Sequence, residues 1–192
     1  MVKSSDRSEQ VRAGRRSFLR RFGAATLGVA AARTALAEDG QRRLSFVHTH
    51  TAERLTVMYY EAGAYLPNVL QKVNVLLRDF RTETVFQIDP RVLDRLFMLQ
   101  AATGGSEAFQ VISGYRSPDT NAALRRDSIG VAEHSLHMEG RAIDVRLPGF
   151  ASDQLAALAQ AQAAGGVGFY RPSDFVHLDT GRVRIWGDSL QT

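Results

Sequence analysis

The stretch SLHMEGRAIDVRL, at residues 135–147, is the best guide to the fold of this chain. Its second half predicts a β-strand, because the apolar residues Ile143 and Val145 recur at every second position and so share one face. Asp144 lies between them and therefore belongs to the opposite face, where its carboxylate can meet an open cleft. Gly140 allows the sharp turn that leads into the strand. The stretch thus predicts a core strand that carries a functional carboxylate.

Further regular elements precede and follow this strand. They predict one α+β domain, in which helices come first and pack on a small antiparallel sheet that closes the C-terminal half. The predicted strands are residues 45–51, 54–60, 109–112, 142–147, 167–170, 175–178 and 183–186, and the predicted helices are residues 67–78, 90–100, 119–126 and 152–163.

Composition excludes several classes of protein. The chain has 192 residues, of which 44% are apolar and 23% charged, as in a globular domain. It has no cysteine, which excludes disulfide frameworks, thiolate metal sites and cysteine nucleophiles. No apolar segment approaches the roughly 18 residues that a membrane-spanning helix needs, so the mature protein is expected to lack a membrane span.

The basic charge belongs to the N-terminus and not to the domain. The formal net charge is +4, but residues 1–37 carry eight basic and two acidic residues, which leaves residues 38–192 slightly acidic. A nucleic-acid partner is therefore not expected.

The first 37 residues have the layout of an export signal. Arg15 and Arg16 open the run RRSFLR, which resembles the twin-arginine signal. An uncharged stretch at residues 22–32 follows, and the sequence Ala-Leu-Ala at residues 35–37 matches a cleavage site. A basic amphipathic helix and a signal anchor are the alternatives for such a segment.

These features predict a chain of two parts. Residues 1–37 are interpreted as a twin-arginine signal peptide, and residues 38–192 as the domain that carries the chemistry. The twin-arginine translocase is then the expected partner during export, and the periplasm is the expected location of the mature protein.

Two imidazoles and one carboxylate are the candidate ligands of a metal ion. His137 precedes the turn before Asp144, and His177 lies on another predicted strand. Such a set with an open fourth position is typical of catalytic zinc. The alternative is a nucleophilic triad of Ser135, His177 and Asp144, although no strand-to-helix elbow presents the serine.

Several segments together resemble one known family. SGYRS at 113–117, SxHxxGxAxD at 135–144 and FVH at 175–177 resemble the zinc D-Ala-D-Ala metallopeptidase superfamily, which includes the VanX and VanY enzymes and has a hedgehog-like fold. Other segments are similar to its YcbK/MepK-like murein endopeptidase branch, namely those at residues 50–53, 77–79, 88–90, 165–170 and 176–181.

The resemblance implies a site and an activity. It implies that Zn²⁺ is held by His137, Asp144 and His177, and that a zinc-activated water attacks peptide bonds in the stem peptides or cross-bridges of peptidoglycan. It also implies that Arg116 lies near the scissile carbonyl, where its charge would offset the developing oxyanion.

The proton acceptor is expected among several residues of the second half. Enzymes of the VanX kind carry Glu-x-Trp-His, and Asp174 occupies the position of that glutamate, provided that a turn separates it from His177. Asp179 would share a face with His177 if the strand continues, and its alternative role is that of a turn residue. Glu133 and His134 are further candidates.

These expectations together describe an exported zinc murein endopeptidase. A D,D-carboxypeptidase or dipeptidase on the same scaffold is one alternative, and a non-catalytic peptidoglycan-binding domain is another. The glycine-rich run at residues 165–168 lacks the length and the following helix of a dinucleotide fingerprint, so it is interpreted as a close approach between strands.

Overall fold

The structure is a computed structural model that describes residues 40–127 and 131–188. The predicted signal peptide lies outside these residues. The described strands are β1 (Arg42–His48), β2 (Arg54–Glu61), β3 (Ala64–Tyr65), β4 (Phe109–Ser113), β5 (Ala142–Arg146), β6 (Gly166–Tyr170), β7 (Phe175–Asp179) and β8 (Arg184–Gly187). The helices are α1 (Pro67–Leu76), α2 (Pro90–Thr103), α3 (Pro118–Asp127), α4 (Ser152–Ala161) and a 3₁₀ helix (Leu136–Glu139).

All described strands form one mixed sheet. Their order is β3-β2-β1-β4-β5-β7-β6-β8. Two neighbouring pairs, β1 with β4 and β6 with β8, run parallel, and the other neighbours run antiparallel. The prediction of a single domain with both helices and strands is confirmed.

The prediction of a small antiparallel sheet in the C-terminal half is wrong. The N-terminal hairpin of β1 and β2 joins the same sheet, because β1 pairs with β4 on its second edge and places Phe46 opposite Phe109. Both aromatic side chains are buried. Pairing β1 on both edges satisfies its backbone groups and lets the two halves of the chain share one core.

Local signals in the sequence explain the helix that crosses this core. Helix α2 begins after Asp89, whose carboxylate accepts a hydrogen bond from the backbone N–H of Arg91, and Pro90 occupies its first turn. Gly104 ends it in the left-handed conformation, with φ of 68°. Its buried side chains pack in one core with strand residues; this set includes Val92, Leu93, Leu96, Leu99, Ile143, Val145, Val176 and Leu178.

The alternation along β5 and β7 decides where polar groups can gather. Ile143 and Val145 belong to the core, so Asp144 faces the other side of the sheet. In the antiparallel register Asp144 lies directly opposite His177. Within the described residues, no helix is both long and apolar enough to cross a membrane.

Candidate metal centre

Three predicted ligands meet in one buried cluster. His137 comes from the 3₁₀ helix, Asp144 from β5 and His177 from β7. The Nε2 atom of His137 lies 3.2 Å from Oδ1 of Asp144 and 3.1 Å from Nδ1 of His177. That Nδ1 atom lies 2.8 Å from the same Asp144 oxygen. Strand register brings two of the three groups together, and a tight turn supplies the third.

The turn that carries His137 depends on its flanking residues. The Ser135 hydroxyl accepts a hydrogen bond from the backbone N–H of His137 and so caps the 3₁₀ helix. Gly140 ends the helix with φ of 64°, and a Cβ atom there would clash with the carbonyl oxygen of Gln87. Only glycine fits this position, which is the turn that the sequence predicted.

A hydrogen-bond acceptor lies at the rear of each imidazole. Nδ1 of His137 lies 2.7 Å from the carbonyl oxygen of Gly114, which can only accept, so His137 donates through Nδ1. Nε2 of His177 lies 3.2 Å from a carboxylate oxygen of Asp179, which can accept a hydrogen bond from it. With a metal ion in the cluster, the rear nitrogen atoms would donate to these acceptors, and the front ones, Nε2 of His137 and Nδ1 of His177, would face the ion.

The three ligand atoms lie about 3 Å from one another, and such close polar atoms need a proton or a metal ion between them. Burial lowers the pKa of His137 and so favours the neutral imidazole that a metal ion requires. Burial alone would raise the pKa of Asp144, but the charge interactions and hydrogen bonds of the two histidines lower it. The donor set and the hydrogen-bond acceptors behind the two imidazoles fit a zinc ion.

His177 is placed to balance the charge of Asp144 when no metal ion is bound. Burial would lower the pKa of His177, but hydrogen bonds to Asp144 and Asp179 raise it above its ordinary value. The 2.8 Å distance between Nδ1 of His177 and Oδ1 of Asp144 is that of a hydrogen bond, whose proton occupies the place that a cation would take. Metal binding at this site should therefore release a proton.

Arg116 lies beside the cluster. Its Nη2 atom is 3.6 Å from Oδ2 of Asp144, and its backbone N–H donates to the carbonyl oxygen of His137 at 3.2 Å. Its Nη1 atom donates to Oδ1 of Asn121 at 3.4 Å. The guanidinium is thus held next to the ligand oxygen while it lines the cleft in front of the cluster.

Asp174 is bound to residues outside the cluster. The turn that its proposed role required is present, since Asp174 has φ of 48° immediately before β7 begins at Phe175. Its carboxylate, however, accepts a hydrogen bond from the hydroxyl of Ser152 at 2.6 Å and lies 3.8 Å from Nη1 of Arg146. The side chain is 65% exposed, and its partners tie it to the start of α4 and the end of β5.

Asp179 lies behind His177 and is completely buried. Its Oδ2 atom accepts from Nε2 of His177 and, at 2.7 Å, from Nη2 of Arg184. Its Oδ1 atom accepts from the backbone N–H groups of Gly166 and Gly181 at 3.1 and 2.8 Å. All of these bonds orient Asp179 towards the rear of His177, away from the lone pairs that converge in front.

Three further residues were suggested by the sequence, His134 and Glu133 as proton acceptors and Ser135 as a nucleophile. His134 lines the cleft, whereas Glu133 is exposed and lies 3.5 Å from Nη2 of Arg125. The Ser135 hydroxyl caps the 3₁₀ helix through the N–H of His137. Among the described residues no hydrogen bond joins that hydroxyl to an imidazole nitrogen, so the alternative nucleophilic triad is not assembled here.

An aromatic wall borders the cleft, and sequence analysis missed it. The rings of Tyr170 and Phe175 stack with centroids 4.7 Å apart, and the indole N–H of Trp186 donates to the Tyr170 hydroxyl at 2.9 Å. The indole lies 5.1 Å from the His177 ring. A Cβ atom at Gly168 would lie 2.7 Å from Cε2 of Trp186, so this glycine makes room for the indole. The glycine-rich run therefore does serve a close approach between strands.

The cleft has a volume of about 460 Å³. Period-two alternation in β6, β7 and β8 was the available signal for its wall, because residues on one face of neighbouring strands line the same surface. The residues around the cleft are Arg116, Val131, Ala132, His134, Ser135, Leu136, His137, Asp144, Tyr170, Ser173, Phe175, His177, Arg184 and Trp186.

Comparison with known proteins finds relatives that match the part of the chain that contains this site. The profile of one family, described as "Peptidoglycan L,D-endopeptidase MepK", matches residues 36–186. The chain belongs to this MepK family. A MepK relative of Escherichia coli K12, named peptidoglycan L,D-endopeptidase MepK, is 40% identical over 165 residues, which are 86% of this chain and 90% of that protein. The same name and identity are found in Shigella flexneri.

A similar match comes from a third organism. A protein of Haemophilus influenzae named "Probable peptidoglycan L,D-endopeptidase MepK" is 41% identical over 146 residues, or 76% of this chain and 78% of that protein. The MepK family match includes the three clustered residues, Arg116 and the whole aromatic wall. The family resemblance predicted from the sequence motifs is thereby confirmed.

Proposed function

We propose that this chain is a zinc-dependent murein endopeptidase that hydrolyses peptide cross-links of peptidoglycan. The observation that carries the proposal is the convergence of three ligand atoms at the base of a cleft, where both imidazoles have a hydrogen-bond acceptor behind them. Relatives named L,D-endopeptidases support an internal L,D peptide bond as the substrate. The hedgehog-like fold implied by the motifs stays a prediction.

The proposed division of labour follows from position. His137, Asp144 and His177 would hold the zinc ion. Zinc, when bound, supplies a Lewis acid that polarises the scissile carbonyl and lowers the pKa of a water molecule. Arg116 lies beside Asp144 and would donate to the carbonyl oxygen as negative charge develops there, a contribution of about 3 kcal/mol in comparable sites.

We assign the role of proton acceptor to His134. Of the residues that the sequence suggested, it is the one whose side chain lines the cleft. Asp174 is bound to Ser152 outside that lining, and Asp179 lies behind a ligand. Asp179 is instead proposed as the residue that orients His177, and the earlier assignment of Asp174 stays a prediction for the experiments below.

The charges of the cleft favour an endopeptidase over a carboxypeptidase. A carboxypeptidase needs a cation for the free terminal carboxylate of its substrate. The arginines among the described lining residues are Arg116, beside Asp144, and Arg184, which bonds both oxygens of Asp179. Arg184 is thus engaged with a carboxylate, and Arg116 is assigned to the scissile carbonyl, so neither arginine is left for a terminal carboxylate, and this arrangement supports binding of an internal peptide segment.

The test is digestion of purified sacculi by residues 38–192, with the released muropeptides identified by mass. We expect cross-linked dimers to decrease while monomers accumulate, chelator to stop the reaction, and added zinc to restore it. Loss of terminal D-Ala alone would show a carboxypeptidase. Retention on sacculi without any released muropeptide would show a binding domain and would refute the endopeptidase.

We further propose that the protein reaches the periplasm through the twin-arginine translocase. Changing Arg15→Lys together with Arg16→Lys preserves charge but removes the arginine pair that this route recognises. The precursor is expected to remain in the cytoplasm, as measured by fractionation and immunoblotting. Arg7→Lys with Arg12→Lys, outside the RRSFLR run, is the matched control and should leave export intact. Equal periplasmic amounts for both double variants would contradict the proposal.

A further inference from the structure

A buried carboxylate outside the cleft holds the segment that carries Arg116. Asp79 lies just beyond α1 and is 1% exposed. Its Oδ2 atom accepts from both the backbone N–H and the hydroxyl of Ser117, at 2.8 and 2.6 Å. Its Oδ1 atom accepts from the backbone N–H of Arg81 at 3.1 Å. Asp79 thus spans 38 residues of sequence to reach the immediate neighbour of Arg116.

The residue on the other side of Arg116 is held by the same region. The backbone N–H of Tyr115 donates to the carbonyl oxygen of Leu77 at 2.7 Å. A Cβ atom at Gly114 would lie 2.5 Å from that same oxygen, so the two segments are in close contact. Arg116 is therefore flanked by two anchors, Leu77 before it and Asp79 after it.

The Asp79 anchor continues into the helix that supports the guanidinium. The Ser117 hydroxyl donates to Asp79 and accepts from the backbone N–H of Thr120 at 3.2 Å, so it caps α3. The Ser117 carbonyl oxygen accepts from the N–H of Asn121 at 2.9 Å. Asn121 in turn accepts from Nη1 of Arg116. One carboxylate therefore fixes both the backbone and a side-chain support of Arg116.

We propose that Asp79 is a positioning residue that holds Arg116 against the metal centre for the hydrolysis of peptidoglycan. This inference rests on the proposed function, because it assigns Arg116 a place in that reaction. Asp79 touches none of the three clustered ligands through any described hydrogen bond or ion pair, so its effect passes through the segment 114–117. Misplacement of such a group by about 1 Å can reduce a rate by roughly 10²-fold.

Aspartate suits this position better than asparagine. Both carboxylate oxygens of Asp79 accept hydrogen bonds, Oδ2 from Ser117 and Oδ1 from the backbone N–H of Arg81. An asparagine that keeps its oxygen towards Ser117 turns its NH₂ group towards a second donor. Asp79→Asn should therefore keep part of the anchor, whereas Asp79→Ala removes it.

The first test measures kcat and KM of each variant on a cross-linked muropeptide, and it also measures the zinc content and melting temperature of each variant. Asp79→Ala is expected to lower kcat at least tenfold with KM and zinc content unchanged, and Asp79→Asn should give an intermediate kcat. The matched control is Asp94→Ala, because Asp94 likewise accepts three hydrogen bonds, from Arg42, Tyr59 and Tyr65, at the β3-β2-β1 end of the sheet. Asp94→Ala should lower the melting temperature and leave kcat unchanged. Equal loss of kcat in both variants would overturn the proposal.

The second test uses the background variant Arg116→Ala. If Asp79 acts through Arg116, adding Asp79→Ala to this background should lower kcat no further, whereas an additive loss would refute the coupling. If Asp79→Ala fails to fold, Asp79→Asn and Ser117→Ala replace it in both tests, with the same expected direction.

An NMR measurement that does not depend on activity separates the positioning role of Asp79 from the proposed endopeptidase function. The side-chain Nε–H NMR signal of Arg116, assigned by its loss in Arg116→Ala, is expected to shift or broaden in Asp79→Asn and to stay in place in Asp94→Asn. An unchanged signal in Asp79→Asn would refute the positioning role. A wild-type protein that releases no muropeptide would refute the proposed function and still allow this measurement.

Discussion

His177→Ala is expected to abolish both zinc binding and the hydrolysis of cross-linked muropeptides. The change leaves His137 and Asp144 as the remaining protein ligands of the cluster, and a catalytic zinc site requires three. Zinc content is measured by elemental analysis of protein purified with zinc present, and hydrolysis by digestion of sacculi. The control is His50→Ala, which removes an exposed imidazole that stacks on Phe80, and this variant should retain zinc and activity.

The fold should survive the loss of the ligand. The core side chains of β5 and β7 lie on the face opposite His177, so the metal-free melting temperature of His177→Ala should remain close to that of the metal-free wild type. Added zinc should raise the melting temperature of the wild type alone, since binding to the folded state stabilises it by mass action. Wild-type zinc content in His177→Ala would show that the proposed ligand set is wrong.

Asp179→Ala is expected to weaken zinc binding by about 10- to 100-fold and to lower the free energy of unfolding by about 3 kcal/mol. The first effect follows because His177 loses the acceptor that holds its tautomer. The second follows because Arg184 and two backbone N–H groups lose a buried carboxylate. Zinc titration and urea unfolding measure the two effects.

Asp174→Asn is the matched comparison, because its carboxylate is exposed and hydrogen-bonded to Ser152. This variant should retain zinc affinity, stability and most of its activity. Loss of kcat by 10²-fold or more in Asp174→Asn, with zinc bound, would restore Asp174 as the proton acceptor.

The same loss of kcat in His134→Gln would support the assignment of His134 as the proton acceptor, and a normal kcat in that variant would contradict it.

The effect of the Asp179 carboxylate should depend on pH. Burial alone would raise its pKa, but hydrogen bonds from His177, Gly181 and Arg184 lower it below the ordinary value. A lowered pKa in the folded state contributes stability above the unfolded pKa, and this contribution is lost as the pH falls towards the folded value. The difference in unfolding free energy between wild type and Asp179→Asn should be largest near neutral pH and shrink below about pH 4.

Local patterns in the sequence predicted most of the regular structure. The seven predicted strands and four predicted helices all form, and several ends differ by a few residues. The short β3 and the 3₁₀ helix were not predicted, because two to four residues carry too little periodicity to be distinguished from a turn. Alternation along β5 correctly placed Asp144 opposite the core, and Gly140 marked the turn beside His137.

What the sequence by itself determined was the secondary structure, the family and the set of polar residues that share a face. Each of these follows from short-range periodicity or from a motif within one segment. The tertiary structure alone decided that β1 pairs with β4, that Ser152 binds Asp174, and that Asp79 holds Ser117 beside Arg116. Periodicity reports which face a side chain occupies but not which distant segment meets it. That choice is made when the chain closes around one core, where buried donors and acceptors must find partners across loops of tens of residues.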